Sequence, residues 1–516
     1  MMSSPILTIP PFPRARAPRF AMPGGDGEGE TAELLARLAS NRVGGRYWGR
    51  APVMPDGLVV LDATAAPLPG TVAWDPVFDP WPALDVAERV RLNESDPRGL
   101  LALAAGVPLT LVTDEGAERE PEEVDIRRLL VAGLTGWRWI NPFSQSPMRP
   151  EEAIELCGMW RRLIDANRRV QSVMGIAHWK KPTVTPLLWA GARVPYGRPL
   201  DDLSEGAAVA IWRARLSAVQ ERAIARVDPP VIEIEDGFIR SAGLGADCVP
   251  PLSIIVDGSG PHFAPGAPSE LETLLQEGEF PPDLLERARD LREAIVAGGL
   301  SKYEAGGVEA FPRYGGDRHH VLVPGQVEDD RAVTSGGALA SNIELLRRAR
   351  KEAGPDAYLI YKPHPDVLAG HRRGLIPEAD VATLADHIET GAPMAALIAM
   401  VDELHVNSSL AGFEALMRGK PVTVHGVPFY AGWGLTVDRG PVPPRRTARR
   451  TLDELVVAAL LLYPRYLDPE TGLPCPAEVL VARLAGRGIR LDPNARAVVA
   501  MRRFAGRTNR LLGRFR

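Results

Sequence analysis

Two adjacent carboxylates, Glu235 and Asp236, close the apolar run Val231-Ile-Glu-Ile and are followed at once by a turn glycine, Gly237. Paired acids at the end of a buried run suit nucleophilic or general acid–base work, and they equally suit a strand-end turn whose acids are merely solvated. A second motif, Tyr361-Lys362-Pro363-His364-Pro365-Asp366, sets a histidine between two prolines. The prolines keep its backbone out of helix and present the imidazole in a stiff loop, although loop histidines are often incidental. Third comes Asn407-Ser408-Ser409 and then LAGFEALMRGKP. Asn407 or Ser408 can cap a helix whose stripe is Leu410, Phe413, Leu416 and Met417, with Gly419 ending it. The free N–H groups of such a terminus, with two hydroxyls, make an anion site or a simple cap. Glu414 lies off the stripe, where it could bond ribose hydroxyls. The fourth motif, Pro324-Gly325-Gln326-Val327-Glu328-Asp329-Asp330, is a polar loop after an apolar run.

Positioning these groups requires a scaffold, and the chain beyond about residue 206 supplies an alternating one. Ala207–Trp212, Val231–Glu235 and Ser253–Asp257 read as buried strands, with helical patterns over about 213–226, 268–277 and 282–298. After a break at Tyr314-Gly-Gly-Asp317, strands are expected at His320–Val323, Tyr358–Tyr361, Leu404–Asn407 and Pro421–Val424. Helices near 338–353, 393–401 and 409–418 separate them. Two runs of strand–helix alternation predict two Rossmann-like α/β domains facing a cleft, with ligands at the carboxyl ends of the strands. All four motifs fall at those ends, and that convergence favours a nucleotide-sugar transferase. Neither GxxxxGK[ST] nor GxGxxG occurs, which weighs against ATP hydrolysis and dinucleotide chemistry. No carboxylate–histidine cluster has metal-ligand spacing, so neither a metal nor another cofactor is expected.

The chain has 516 residues, 45% of them hydrophobic and 24% charged, enough for about three domains with sizeable cores. A net charge of −5 argues against a general nucleic-acid binder. Cys157, Cys248 and Cys475 show no CxxC spacing, so a reducing compartment fits, and no apolar run is long enough for a membrane span. The expectation is a soluble cytoplasmic protein. Residues 1–28, rich in proline and glycine, read as a disordered leader. Arg138–Met148 aligns with Arg465–Cys475 at an offset of 327, and Gly106–Leu111 aligns with Gly419–Val424 at 313. The span 29–165 is therefore expected to be a shortened repeat of the last part of the second α/β domain. The two domains are placed at 166–316 and 317–490. Residues 491–516 read as a basic tail whose stretch 496–516 carries arginine and apolar residues and no acid, either an amphipathic helix on anionic lipid or a solvated basic tail.

The segments EDGFIRSAGLGADCVPPLSIIVD, VLVPGQVEDD, YKPHPD and SSLAGFEALMRGKPVTVHGVPFYAGWGLT resemble, in order and spacing, the capsular polysaccharide β-Kdo glycosyltransferases. Kdo is 3-deoxy-D-manno-oct-2-ulosonic acid, and these bacterial proteins are also described as capsule polysaccharide biosynthesis or export proteins. The likeness covers about 170–485. It implies a GT-B fold, CMP-Kdo as donor, and growth of an oligo-Kdo linker on a lysophosphatidylglycerol anchor at the inner membrane. Longer members carry two complete catalytic modules, whereas this chain has one preceded by the shortened copy, so a single linkage is expected.

The resemblance also implies roles. Asp236 would be the catalytic carboxylate, attacking the anomeric carbon with retention, with Glu235 its neighbour and reserve. His364 would stabilise or protonate the departing phosphate, with Lys362 adding charge. Ser408 and Ser409 would hold the CMP phosphate, Glu414 the ribose and Arg240 the Kdo carboxylate. Gln326 and Asp329 would line the donor or acceptor side. The partners implied are CMP-Kdo, a lipid-linked Kdo acceptor and a capsule assembly and export complex. Addition of the first Kdo to the lipid anchor, or a non-catalytic scaffold role in that complex, are the competing readings.

Overall fold

The computed structural model describes residues 4–16, 18–55, 59–64, 68–240, 249–301, 311–370 and 372–486. The chain divides into two compact units, the first made of Met1–Val170, Thr185–Pro195 and Glu470–Pro474, the second of the remainder. The boundary expected at 165 thus lies near Val170, and the boundary expected at 316 separates two sheets that belong to one unit.

The second unit carries the four motifs. Its first sheet contains β1 (Val170–Met174), β2 (Ala208–Ile211), β3 (Val231–Asp236) and β4 (Ser253–Asp257). β2 and β3 run parallel with Ile211 opposite Glu233, and β4 turns back antiparallel with Ile254 opposite Asp236. Its second sheet contains β5 (His320–Pro324), β6 (Tyr358–Lys362), β7 (His387–Ile388), β8 (Glu403–Val406), β9 (Val422–Val424) and β10 (Val437–Asp438). The order is β7-β6-β5-β8-β9-β10 and every pairing is parallel. In order of appearance that is 3-2-1-4-5-6, the doubly wound arrangement whose order reverses beside its first strand. The chain then returns to the first sheet as β11 (Pro464–Leu467), antiparallel to β4.

Buried parallel strands need apolar residues on both faces. β2 (AVAI) and β5 (HVLVP) are buried at every position. The helix Asn342–Ala353 starts where the Ser341 side chain accepts from the Glu344 N–H, and it lays Leu345, Leu346 and Ala349 against Val321, Val323, Leu359 and Tyr361. The single helix expected over 213–226 is two elements. Arg213–Arg215 forms a tight 3-10 turn, and the helix Ala218–Val227 begins anew at a Ser217–Gln220 capping box.

In the first unit, Val59–Asp62, Ala87–Asn93 and Leu109–Val112 form a parallel core. The described part of the leader is ordered, contrary to expectation. Ile6, Leu7, Phe12 and Phe20 are buried, and Ala21–Pro23 pairs with Trp137–Trp139. Its apolar side chains outweigh the disorder bias of its prolines. The two aligned segments carry the same succession of elements. Glu123–Leu130 leads into a π-helical turn, Val131–Thr135, and then the strands Trp137–Ile140 and Pro147–Met148. Leu452–Val456 leads likewise into Val457–Leu462, β11 and Pro474–Cys475. Among the described residues, Cys157 and Cys475 are buried and free, and no helix is long and apolar enough to cross a membrane. Cys248 and the arginine-rich tail lie outside the described residues.

Candidate functional site

A cavity of about 580 Å³ opens within the second unit at the carboxyl ends of both sheets. Glu235 and Asp236 line it from β3, Gln326 from the loop after β5, and Lys362 and His364 from the end of β6. Ser408, Ser409 and Glu414 line it after β8. The structure thus brings Asp236 and His364, from different sheets, to one cavity. Asp329 does not line it. Its half-exposed side chain pairs with Arg372 at 3.2 Å, and Arg372 is the residue at the wall.

Asp236 is gripped at both oxygens. Lys180 Nζ lies 3.0 Å from Oδ1 and Arg240 Nε lies 3.0 Å from Oδ2. Arg240 is fully buried and also donates from Nη2 to the Val249 carbonyl at 2.9 Å. The expectation that Arg240 receives a substrate carboxylate is therefore corrected. Its guanidinium is spent inside the protein, orienting Asp236. Lys180 stands 3.3 Å from the ring centroid of Trp212 and 5.1 Å from that of Trp179. Burial pulls its pKa down to about 8, against the opposing pull of the Asp236 charge.

Glu235 belongs to a separate network. Arg331 reaches it with Nη1 at 2.7 Å and reaches Glu233 with Nη2 at 2.9 Å, while Arg213 holds the other oxygen of Glu233 at 2.6 Å. Burial pushes the Glu235 carboxyl up to about 7, the Arg331 charge working the other way. Two neighbouring acids thus have different surroundings, the pattern by which enzymes separate the roles of paired carboxylates.

On the second sheet's side, Gln326 bonds Ser408 twice, from its amide nitrogen to Oγ at 3.2 Å and from the Ser408 N–H to its carbonyl at 2.9 Å. Ser408 Oγ donates to the Ala332 carbonyl at 2.9 Å. Asn407 exchanges hydrogen bonds with the Leu339 backbone. Neither of them caps the helix Ala411–Met417, whose Ala411 N–H is met by Ser409 Oγ at 3.2 Å. Gly419, at φ 70°, ends that helix as expected. His364 Nδ1 accepts from the Asp366 N–H at 3.1 Å, which fixes the ring. Lys362, also buried, donates to the Ala392 carbonyl at 2.6 Å. Glu414 is buried beside the cavity. An aromatic wall of Phe238 stacked on Phe429 at 4.5 Å, with the edge of His262 at 4.8 Å, completes the lining.

The arrangement holds a fixed carboxylate and a near-neutral acid on one sheet, with imidazole, hydroxyl and amide groups on the other. That suits group transfer through an attacking carboxylate. Sequence reasoning missed Trp179, Lys180, Arg215 and Arg331. The one local signal was lysine itself, which occurs at only six positions in the chain, Lys180 among them.

A family model described as "Capsule polysaccharide biosynthesis protein" matches residues 207–466. The chain is 37% identical over 348 residues to the capsule polysaccharide modification protein LipA of Neisseria meningitidis serogroup B, covering 66% of this chain and 49% of that one. It therefore spans about half the length of that relative. It is 46% identical over 260 residues to the lipopolysaccharide-processing protein LpsZ of Rhizobium meliloti, covering 50% of this chain and 59% of that one. Among solved structures it is similar to the Thermosulfurimonas dismutans KpsC beta Kdo 2,4 transferase, with a TM-score of 0.53 and 32% identity, covering 62% of this chain and 99% of that one.

Proposed function

The chain belongs to the capsule polysaccharide biosynthesis protein family and has an α/β glycosyltransferase fold, and on that footing we propose that it is a GT-B type enzyme transferring β-Kdo from CMP-Kdo to a lipid-linked Kdo acceptor in capsule biosynthesis. The observation that carries this reading is Asp236, held at 3.0 Å by Lys180 on one oxygen and by Arg240 on the other, in a cavity that polar strand-end groups of the second sheet also line.

Asp236 attacks the anomeric carbon of Kdo. The bond from that carbon to the phosphate oxygen breaks, and CMP leaves with the electron pair. An acceptor hydroxyl then displaces Asp236 from the same carbon, and two inversions leave the β configuration unchanged. Glu235, with its carboxyl near 7, is matched to take the acceptor's proton at neutral pH. His364 and Lys362 stabilise the departing phosphate, a single group whose charge an imidazole and an ammonium can offset without a metal. Ser408, Ser409 and Gln326 frame the phosphate, and Glu414 the ribose. The acceptor places the reaction at the cytoplasmic surface of the inner membrane, within reach of the capsule assembly and export machinery.

Incubation with CMP-Kdo and a Kdo-bearing glycolipid should release CMP and lengthen the glycolipid, and NMR of the product should show a β linkage. Asp236→Ala should abolish transfer. Turnover by Asp236→Ala at the rate of the unsubstituted protein would refute the mechanism.

A further inference from the structure

Six Lys or Arg side chains line the cavity: Lys180, Arg215, Arg240, Arg331, Lys362 and Arg372. Five are engaged within the protein. Lys180 and Arg240 hold Asp236, Arg331 holds Glu233 and Glu235, Lys362 holds the Ala392 carbonyl, and Arg372 pairs with Asp329. Among the described residues, the Arg215 guanidinium has neither an acidic partner nor a hydrogen-bond acceptor, and the residue is exposed. It ends the tight turn Arg213–Arg215, whose preceding residue, Trp212, carries Lys180 over its ring at 3.3 Å. Trp179 also lines the cavity, half-buried, with its ring centroid 5.1 Å from Lys180 Nζ and 5.8 Å from the Arg240 guanidinium. An indole face therefore lies beside the two cations that grip Asp236, and an uncommitted guanidinium lines the same cavity from the turn that follows β2 of the first sheet.

We infer that Trp179 and Arg215 form a subsite for the carboxylate of an acidic sugar. A guanidinium receives a carboxylate through paired N–H···O bonds, and a sugar ring packs its C–H face on an indole. The inference deepens the proposed function and rests on it, because donor and acceptor sugars there both carry a carboxylate. It also supplies the group that Arg240, being buried, cannot provide.

The test uses the full-length protein. Calorimetric binding of methyl β-Kdo glycoside is compared with that of its carboxyl-reduced counterpart, and transfer kinetics are measured with CMP-Kdo. Binding should weaken about 10- to 100-fold on carboxyl reduction. Arg215→Met should remove that difference, and Arg215→Lys should restore part of it. A raised KM for the glycolipid assigns the subsite to the acceptor, and a raised KM for CMP-Kdo assigns it to the donor. Equal binding of both glycosides by the unsubstituted protein, no binding of either, or the same discrimination in Arg215→Met would overturn the inference. Failure of the unsubstituted protein to transfer while it still discriminates the glycosides would count against the proposed function and leave the subsite standing.

Discussion

Lys180 and Asp236, 56 positions apart in sequence, meet at 3.0 Å on the cavity wall, with the ammonium set over the ring of Trp212. The lysine follows β1 and the aspartate ends β3, so their contact depends on the two strands flanking β2 in one sheet. A carboxylate held on one oxygen by this ammonium and on the other by Arg240 presents a fixed face to the cavity, which is what an attacking group needs.

Replacing Lys180 with methionine keeps the bulk against Trp212 and removes the charge. Transfer should slow about 100-fold in kcat with a smaller change in KM for the donor, because geometry at Asp236 is lost rather than binding. The pH profile separates this role from a structural one. With the Lys180 pKa pulled down to about 8, activity of the unsubstituted protein should fall as pH rises past 8. Stability should move the other way for this group. Between about 8 and 10.5 the unfolded chain binds a proton that the folded lysine has lost, so its contribution to stability rises with pH. An unchanged alkaline limb in Lys180→Met would refute the assignment.

Glu235 makes the complementary case. Its folded pKa, about 7, is above the ordinary carboxyl value of 4.5, so the stability it contributes is full below 4.5 and lost as pH rises through 7. Glu235→Gln stays neutral throughout. Relative to the unsubstituted protein it should therefore be more stable at pH 8 than at pH 5, the gap growing by about 2 kcal/mol once partial exposure is allowed for. Denaturant midpoints at the two pH values measure it, and a gap independent of pH would rule out burial of this carboxyl as the cause.

How much of this was legible in the chain depends on how local each signal is. Val231–Asp236 intersperses β-branched residues with acids and Ser253–Asp257 is β-branched through its centre, and the motifs at their ends could be placed because a strand's end follows from its own residues. β1 was missed because VQSVM breaks its apolar run with Gln171 and Ser172 just after a long helix, and β7 and β10 have only two residues each. Side-chain direction was not legible at all. Arg240, four residues past Asp236, turns back on it instead of reaching a ligand. Arg331 gains its meaning only from Glu233 and Glu235, 98 and 96 positions away on the other sheet.

The turn after Asp236 offers the sharpest structural test. Gly237 is buried, and a Cβ placed on it would lie 2.7 Å from Ser253 Cβ and closer still to the hydroxyl that bonds the Ile239 carbonyl. Neither can retreat easily, because Ser253 is itself wholly buried in β4. Gly237→Ala should cost about 1–3 kcal/mol by overpacking. It should also lower transfer more than tenfold, since the strain falls on the residue next to Asp236, the carboxylate proposed to attack. Adding Ser253→Gly removes the Cβ and hydroxyl that block the methyl group but gives up the hydrogen bond to Ile239. The double variant should therefore recover about half of the stability lost, read from thermal or denaturant midpoints as a double-mutant cycle. Strict additivity of the two substitutions would show that Ser253 is not what requires glycine at this turn.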